Sequence, residues 1–208
     1  MDRSAVTRRK ILDAAARLYA TKGIDSVSLN EIVRAAGQGN ASAVHYHFGN
    51  RDGVLLALVE RHAEQLAERR RELMDAARAR PRSVRTAAEA IVRPITEFAQ
   101  RGWRERAYLQ IGAELAQRLD RLTPELQAAL ARTEGADAWA LMHARCPRVP
   151  DDLWFVRQQI CVVFVGRAAA DRARRLETGG RKGVLSDTRV VGNLVDMVVG
   201  AMTATTRS

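Results

Sequence analysis

Cysteine is scarce in this chain. Cys146 and Cys161 are its two thiols, too few for a disulfide framework and without the spacing of a zinc site. No cofactor and no metal is expected. Long apolar runs are missing as well. The longest, Ile160 to Gly166, is closed off by Arg157 and Arg167 and falls far short of the roughly 20 residues a bilayer span needs. Met1-Asp2-Arg3-Ser4 leads into a charged amphipathic pattern rather than an apolar signal region, so the expectation is a cytoplasmic protein with no membrane partner. Paired carboxylates, a nucleophile elbow and a phosphate loop are absent, so a helical enzyme is a remote reading. His143 stands near Cys146, but both fall at a helix end beside Pro147 and the sequence identifies no third orienting group.

Lysine occurs only at positions 10, 22 and 182, leaving 31 arginines among the 34 basic residues. That bias fits a GC-rich coding sequence as well as any selected contact. The formal charge of +10 attracts polyanions. The surplus is spread, however: residues 1–53 hold 8 basic and 5 acidic groups.

Strand alternation is nearly absent, and helical periodicity runs almost throughout. Ile11, Leu12, Ala15, Leu18 and Tyr19 share one face of a helix that Gly23 stops. Ser28 to Glu31 reads as a capping box opening a helix at 29–36, and Gly37 to Asn40 makes a turn before a short helix at 41–47. Asp52 is placed to cap a long helix running to about Arg78, with Val54, Leu55, Leu58, Val59, His62, Leu66 and Leu73 on one stripe. Beyond Pro81 the pattern predicts helices at about 83–101, 104–119, 123–144, 151–177 and 187–203. The fold class is all-α: an N-terminal three-helix head, residues 1–53, on a larger helical body, residues 54–208.

Two short helices joined by a glycine-containing turn have the arithmetic of a helix-turn-helix. Val44 and Phe48 point inward, leaving Asn40, Ser42, His45, Tyr46 and His47 near or on the outer side, with Arg51 just beyond. Such donors and aromatic rims suit base edges and phosphates in a major groove. His45 and His47 diverge by about 200° on a helix, which argues against a metal pair.

Residues 7–58 resemble the DNA-binding head of the TetR family of bacterial transcriptional regulators. The likeness is carried by Arg9-Lys10-Ile11-Leu12-Asp13-Ala14-Ala15, by Gly23, by Ser28 through Gly37, and by Ser42 through Leu55. The turn at 37–41 is one residue longer than the common family pattern, and His45 stands where many members carry tyrosine. The resemblance implies a homodimeric repressor on a palindromic double-stranded operator, released by a small ligand in the body. It carries DNA contact to Tyr46, His47 and Arg51, and to Asn40, Ala41, Ser42 and His45. Ser28 is added for phosphate at a helix N-terminus, although its capping role is explanation enough.

In the body, Phe98, Trp103, Tyr108, Trp139, Met142 and His143 form the candidate lining for a small apolar or aromatic effector, and plain core packing explains them nearly as well. His62 reads as a core or domain-interface histidine before a ligand contact. The apolar stripes of the last two helices, with Phe164, Val191, Leu194, Val195 and Val198, are expected at an isologous dimer interface, with a buried core as the other reading. A body without an effector, constitutive or controlled by a protein partner, is the alternative.

Overall fold

The computed structural model describes residues 3–38, 42–146, 149–179 and 186–205. Among these residues the chain is built from α-helices, one short 3-10 turn and connecting loops. The head holds α1 (Arg3–Lys22), α2 (Leu29–Ala35) and α3 (Ser42–Phe48). α1 buries Ile11, Leu12, Ala15 and Tyr19 and stops at Gly23, whose φ of +84° is open to glycine at no steric cost. Ser28 caps α2, its hydroxyl accepting from the Glu31 amide at 3.2 Å.

The long α4 (Arg51–Arg78) carries the chain from head to body. Its cap is Asn50, whose side chain accepts from the Gly53 amide at 2.9 Å, not the expected Asp52. Asp52 lies in the first turn instead, where its charge still suits the helix N-terminus. Gly53 is needed for closeness: a Cβ there would fall 1.8 Å from the Phe48 carbonyl oxygen. The expected stripe from Val54 to Leu73 is buried throughout, His62 included.

The body adds α5 (Val84–Phe98), α6 (Trp103–Ala116), α7 (Pro124–Glu134), α8 (Ala136–Ala144), α9 (Asp151–Glu177) and α10 (Asp187–Thr203). Ser83 and Thr123 cap α5 and α7 through their hydroxyls. The single helix expected over 123–144 is two helices, and the break has a physical cause. Gly135 takes φ +78°, and the buried Arg70 of α4 occupies the space beside it, donating to the Thr133 carbonyl at 2.7 Å. Apolar periodicity continues across the break, which is why it is invisible in sequence.

One apolar cluster joins the head to the near half of the body, from Ile11 and Val44 through Leu58 to Phe98, Tyr108 and Leu115. A second fills the far half around Ile91, Trp139, Met142, Trp154, Cys161 and Val198. α10 lies against α5 and α9.

Gly135→Ala should test the break. A Cβ there would lie 2.3 Å from the Arg70 Nε, on a backbone that alanine rarely adopts. We expect a loss of about 1–3 kcal/mol in urea unfolding. An unchanged midpoint would contradict this account of the α7–α8 corner.

Candidate DNA-binding surface and ligand recess

In the head, Val44 is fully buried and pins α3 to the core, while Phe48 is half-buried. This orientation turns Ser42, His45 and Tyr46 outward, and Tyr46 is 82% exposed. His47 is half-buried, with its ring edge-on to Tyr46 at 5.0 Å. The outward side of α3 therefore presents polar and aromatic groups together, as expected. Asn40 and Ala41 lie outside the described residues.

Three of the expected contact residues also have work inside the head. His45 Nδ1 donates to the Gly49 carbonyl at 2.7 Å, which closes α3 and leaves Nε2 as the ring's other polar atom. Arg51 donates to the Val27 carbonyl at 2.8 Å, fastening α4 to the loop before α2. Ser28 is occupied as a cap. Arg51 and Asp52 flank the buried Tyr19, whose phenol is pushed up to about 12 by burial and by Asp52, with Arg51 opposing. Sequence reasoning passed over Arg8, whose guanidinium sits 5.2 Å from the Phe48 ring centre at the end of α3. A half-exposed aromatic closing the helix was the available signal.

The head is fastened to α6 along a polar seam. The Asp13 carboxylate of α1 accepts from Arg61 of α4 at 2.8 Å and from Arg104 of α6 at 2.6 and 2.9 Å. Burial alone would raise this carboxyl, but the hydrogen bonds from Arg104 and Arg61 outweigh it and hold the group below the usual carboxylate range. The Ile24 amide donates to both carboxylate oxygens of Glu114, at 3.1 and 3.2 Å. Arg118 bridges Glu114 and Asp25. Trp103, expected at an effector pocket, stands in this seam with the Arg17 guanidinium 3.6 Å from its ring centre.

On its other side α6 walls a recess closed by α4, α5, α7 and α9. Leu66, Ile95, Tyr108, Leu109, Leu130 and Val162 line it with small residues of α6 and α9, and none of the lining side chains is charged. The recess measures about 530 Å³ with its mouth, but only about 70 Å³ of it is free space. Of the expected lining set, Tyr108 lies in this wall, and Phe98 packs edge-on behind it at 5.9 Å. Trp139 and Met142 are buried in the far cluster. His143 stacks on Trp154 at 4.5 Å and reaches Asp151 at 3.1 Å. Periodicity marks the inward side of each helix but not the helix it will meet, and the corner at Gly135 carries α8 away from α6.

His62, read from the sequence as a core or domain-interface histidine before a ligand contact, lies in this region. It is 4% exposed, and its ring lies 5.4 Å from that of Phe98 and 5.1 Å from that of Tyr108. Burial pushes its imidazole down to about 4, with Arg61 and Arg104 acting in the same direction and Glu105 against them.

The expected interface residues separate into two groups. Leu194, Val195 and Val198 are closed off inside the chain's own core, against α5 and α9, so they are not available as a contact surface. Phe164 and Val191 are half-buried. The outward apolar side consists instead of Phe155, Val156, Ile160 and Val163 of α9 with Met197 of α10. The paired-valine stripe of α10 marks its buried side, because packing against two neighbours needs a wide stripe.

Comparison with known proteins bears on this architecture. Residues 11–58 match the family of bacterial regulatory proteins, tetR family. That match takes in the head from Ile11 onward and the first two turns of α4. The HTH-type transcriptional repressor Rv1474c of Mycobacterium tuberculosis is 33% identical over 66 residues, covering 32% of this chain and 35% of that repressor. The match thus spans about a third of that relative's length. A TetR-family transcriptional regulator from Bordetella parapertussis has a crystal structure similar over 97% of this chain and 98% of that one, with TM-score 0.65 and 17% identity. The structure of AibR in complex with isovaleryl coenzyme A and operator DNA covers 92% of this chain and 97% of that one, with TM-score 0.61 and 21% identity. The tetR-type architecture therefore extends through the body as a fold. No helix among the described residues is long and apolar enough to cross a membrane.

The buried imidazole makes stability depend on pH. An unfolded histidine takes a proton near its ordinary 6.5, whereas His62 stays neutral in the fold down to about 4. Stability present above pH 6.5 is therefore lost as pH falls towards 4, by up to about 3 kcal/mol. In urea titrations at about pH 7 and pH 4.5, His62→Phe should lack this part of the acid sensitivity. The same pH dependence in variant and wild type would contradict it.

Proposed function

We propose that the protein is a homodimeric transcriptional repressor acting in the cytoplasm on a palindromic double-stranded operator, and that a small apolar effector releases it. The observation that carries the reading is α3, held by buried Val44 with Ser42, His45 and Tyr46 turned outward, on a head that matches the tetR family. We assign the protein no catalytic role; the relatives named above are regulators. The division between head and body is placed near residue 53.

On this reading α3 enters the major groove, where polar side chains meet base edges and Tyr46 and His47 reach base or backbone. Ser28, Asn40, Ala41, Ser42, His45 and Arg51 complete the proposed contact set. Arg51 and His45 then act twice, bracing the head and facing DNA. Binding two half-sites requires two heads at a fixed separation of about 34–36 Å or another whole number of helical turns. The apolar side of Phe155, Ile160 and Val163 is the surface we assign to the second copy, since such a patch marks an interaction site.

An effector is favoured over a constitutive body by the uncharged recess. Its free space of about 70 Å³ is below the roughly 150 Å³ that admits benzene in an engineered cavity. An occupant must therefore displace the walls. α6 is one of those walls and also holds the head through Arg104 and Glu114, so displacement reaches the head and spoils its match to the grooves.

Two outcomes test this function. Tyr46→Ala should weaken operator binding about tenfold or more, a little over 1 kcal/mol, with the melting temperature unchanged; unaltered affinity for operators selected from a random pool would sink the α3 assignment. Ile160→Asp combined with Phe155→Asp should give a folded monomer by light scattering, with operator affinity lost. Val195→Asp should unfold the chain instead, because it buries an unpaired charge. A double variant that remains dimeric would show that the interface lies elsewhere.

A further inference from the structure

The buried imidazole of His62 has no structural partner that explains it. Its Nδ1 is buried and meets no hydrogen-bond acceptor or donor among the described residues. A buried polar atom left without a partner costs stability and calls for a reason. Packing does not supply one. Phe98 and Tyr108 hold the ring by tilted and edge-on contacts at 5.4 and 5.1 Å, an arrangement a phenylalanine would make equally well without losing hydration.

Position supplies the reason. Leu66, one turn further along α4 from His62, lines the recess, and so does Tyr108, the ring against which the imidazole rests. His62 thus stands at the end of the recess nearer the head, behind Tyr108. With so little free space, any occupant must push these walls apart, and turning the Tyr108 ring uncovers the imidazole. Accepting an effector in the recess, as proposed above, we infer that His62 Nδ1 is its polar anchor, and that the effector is a compact, uncharged, largely apolar molecule carrying one hydroxyl.

The chemistry selects this class. A hydroxyl both donates and accepts, so it pairs with Nδ1 in either neutral tautomer. The walls otherwise offer apolar surface, with Thr133 and Tyr108 as the remaining polar side chains. An ionised group would lose its hydration there with no opposite charge among the lining residues. Of the charges that act on His62, Arg61, Arg104 and Glu105, the two arginines are engaged by Asp13 in the seam.

The test compares phenol with toluene, which are alike in size and differ by the hydroxyl. Affinities are read from concentration-dependent thermal shifts of the full-length protein, of His62→Phe and of His62→Gln. We expect wild type to bind phenol about tenfold more tightly than toluene. His62→Phe should lose or reverse that preference while remaining at least as stable, and His62→Gln, which keeps a hydrogen-bonding group, should retain part of it. Equal binding of the two probes to wild type would overturn the anchor and leave the effector recess standing. A phenol preference that survives in His62→Phe would also overturn it, by placing the polar anchor elsewhere. If neither probe binds wild type, the effector reading falls and the inference with it.

Discussion

The orientation of the head depends on the seam that ties α1 and its following turn to α6. Asp13 collects Arg61 and Arg104, and the Glu114 carboxylate receives the Ile24 amide just beyond Gly23. These are charge-assisted hydrogen bonds between partly buried groups, stronger than neutral ones and directional. They make α6 a shared wall. One side faces the recess through Tyr108, Leu109 and Ala113, and the other grips the head. α4 makes the second connection, since Val54, Leu55 and Leu58 belong to the same apolar cluster as Ile11 and Leu12. Head and body are therefore mechanically continuous, and a change in the body cannot stay local if it moves either helix.

Arginine does much of the bracing. Arg70 reaches the carbonyl of Thr133, and Arg51 that of Val27. Arg145 joins three segments by donating to the carbonyls of Ser83 and Ala77 and to the Thr86 hydroxyl. A planar fork on a long stem suits such spans, because several donors are aimed at once from a distance. Part of the basic surplus thus serves the fold rather than the surface. The charge of the chain is a weaker pointer to DNA than the shape and exposure of α3.

Local chemistry made much of the fold legible in sequence. Ser28, Ser83 and Thr123 each begin a helix as capping residues should, and Gly23 and Gly37 sit at positive φ where a helix stop and a turn were expected. The stripe from Val54 to Leu73, and α9 and α10 with their ends, followed from periodicity and flanking turns. Long-range partnerships were not legible. The paired valines of α10 have the same pattern whether they meet α5 or a second copy, so Val195 could not be placed. The corner at Gly135 needs Arg70, which is 65 positions away in the chain. Trp103 and Trp139 are aromatics on inward sides of helices, yet one joins the seam and the other the far core. In the head, the outward set of α3 was readable because one buried residue, Val44, determines which side faces out.

The exchange rate of the Ile24 amide hydrogen with solvent measures the seam most directly, since that hydrogen is held by Glu114 from across the head–body boundary. Slow exchange is predicted, comparable to the buried turns of α6, with marked acceleration in Glu114→Gln and on occupation of the recess. Exchange in the wild-type protein as fast as in an exposed loop would contradict the claim that α6 sets the position of the head.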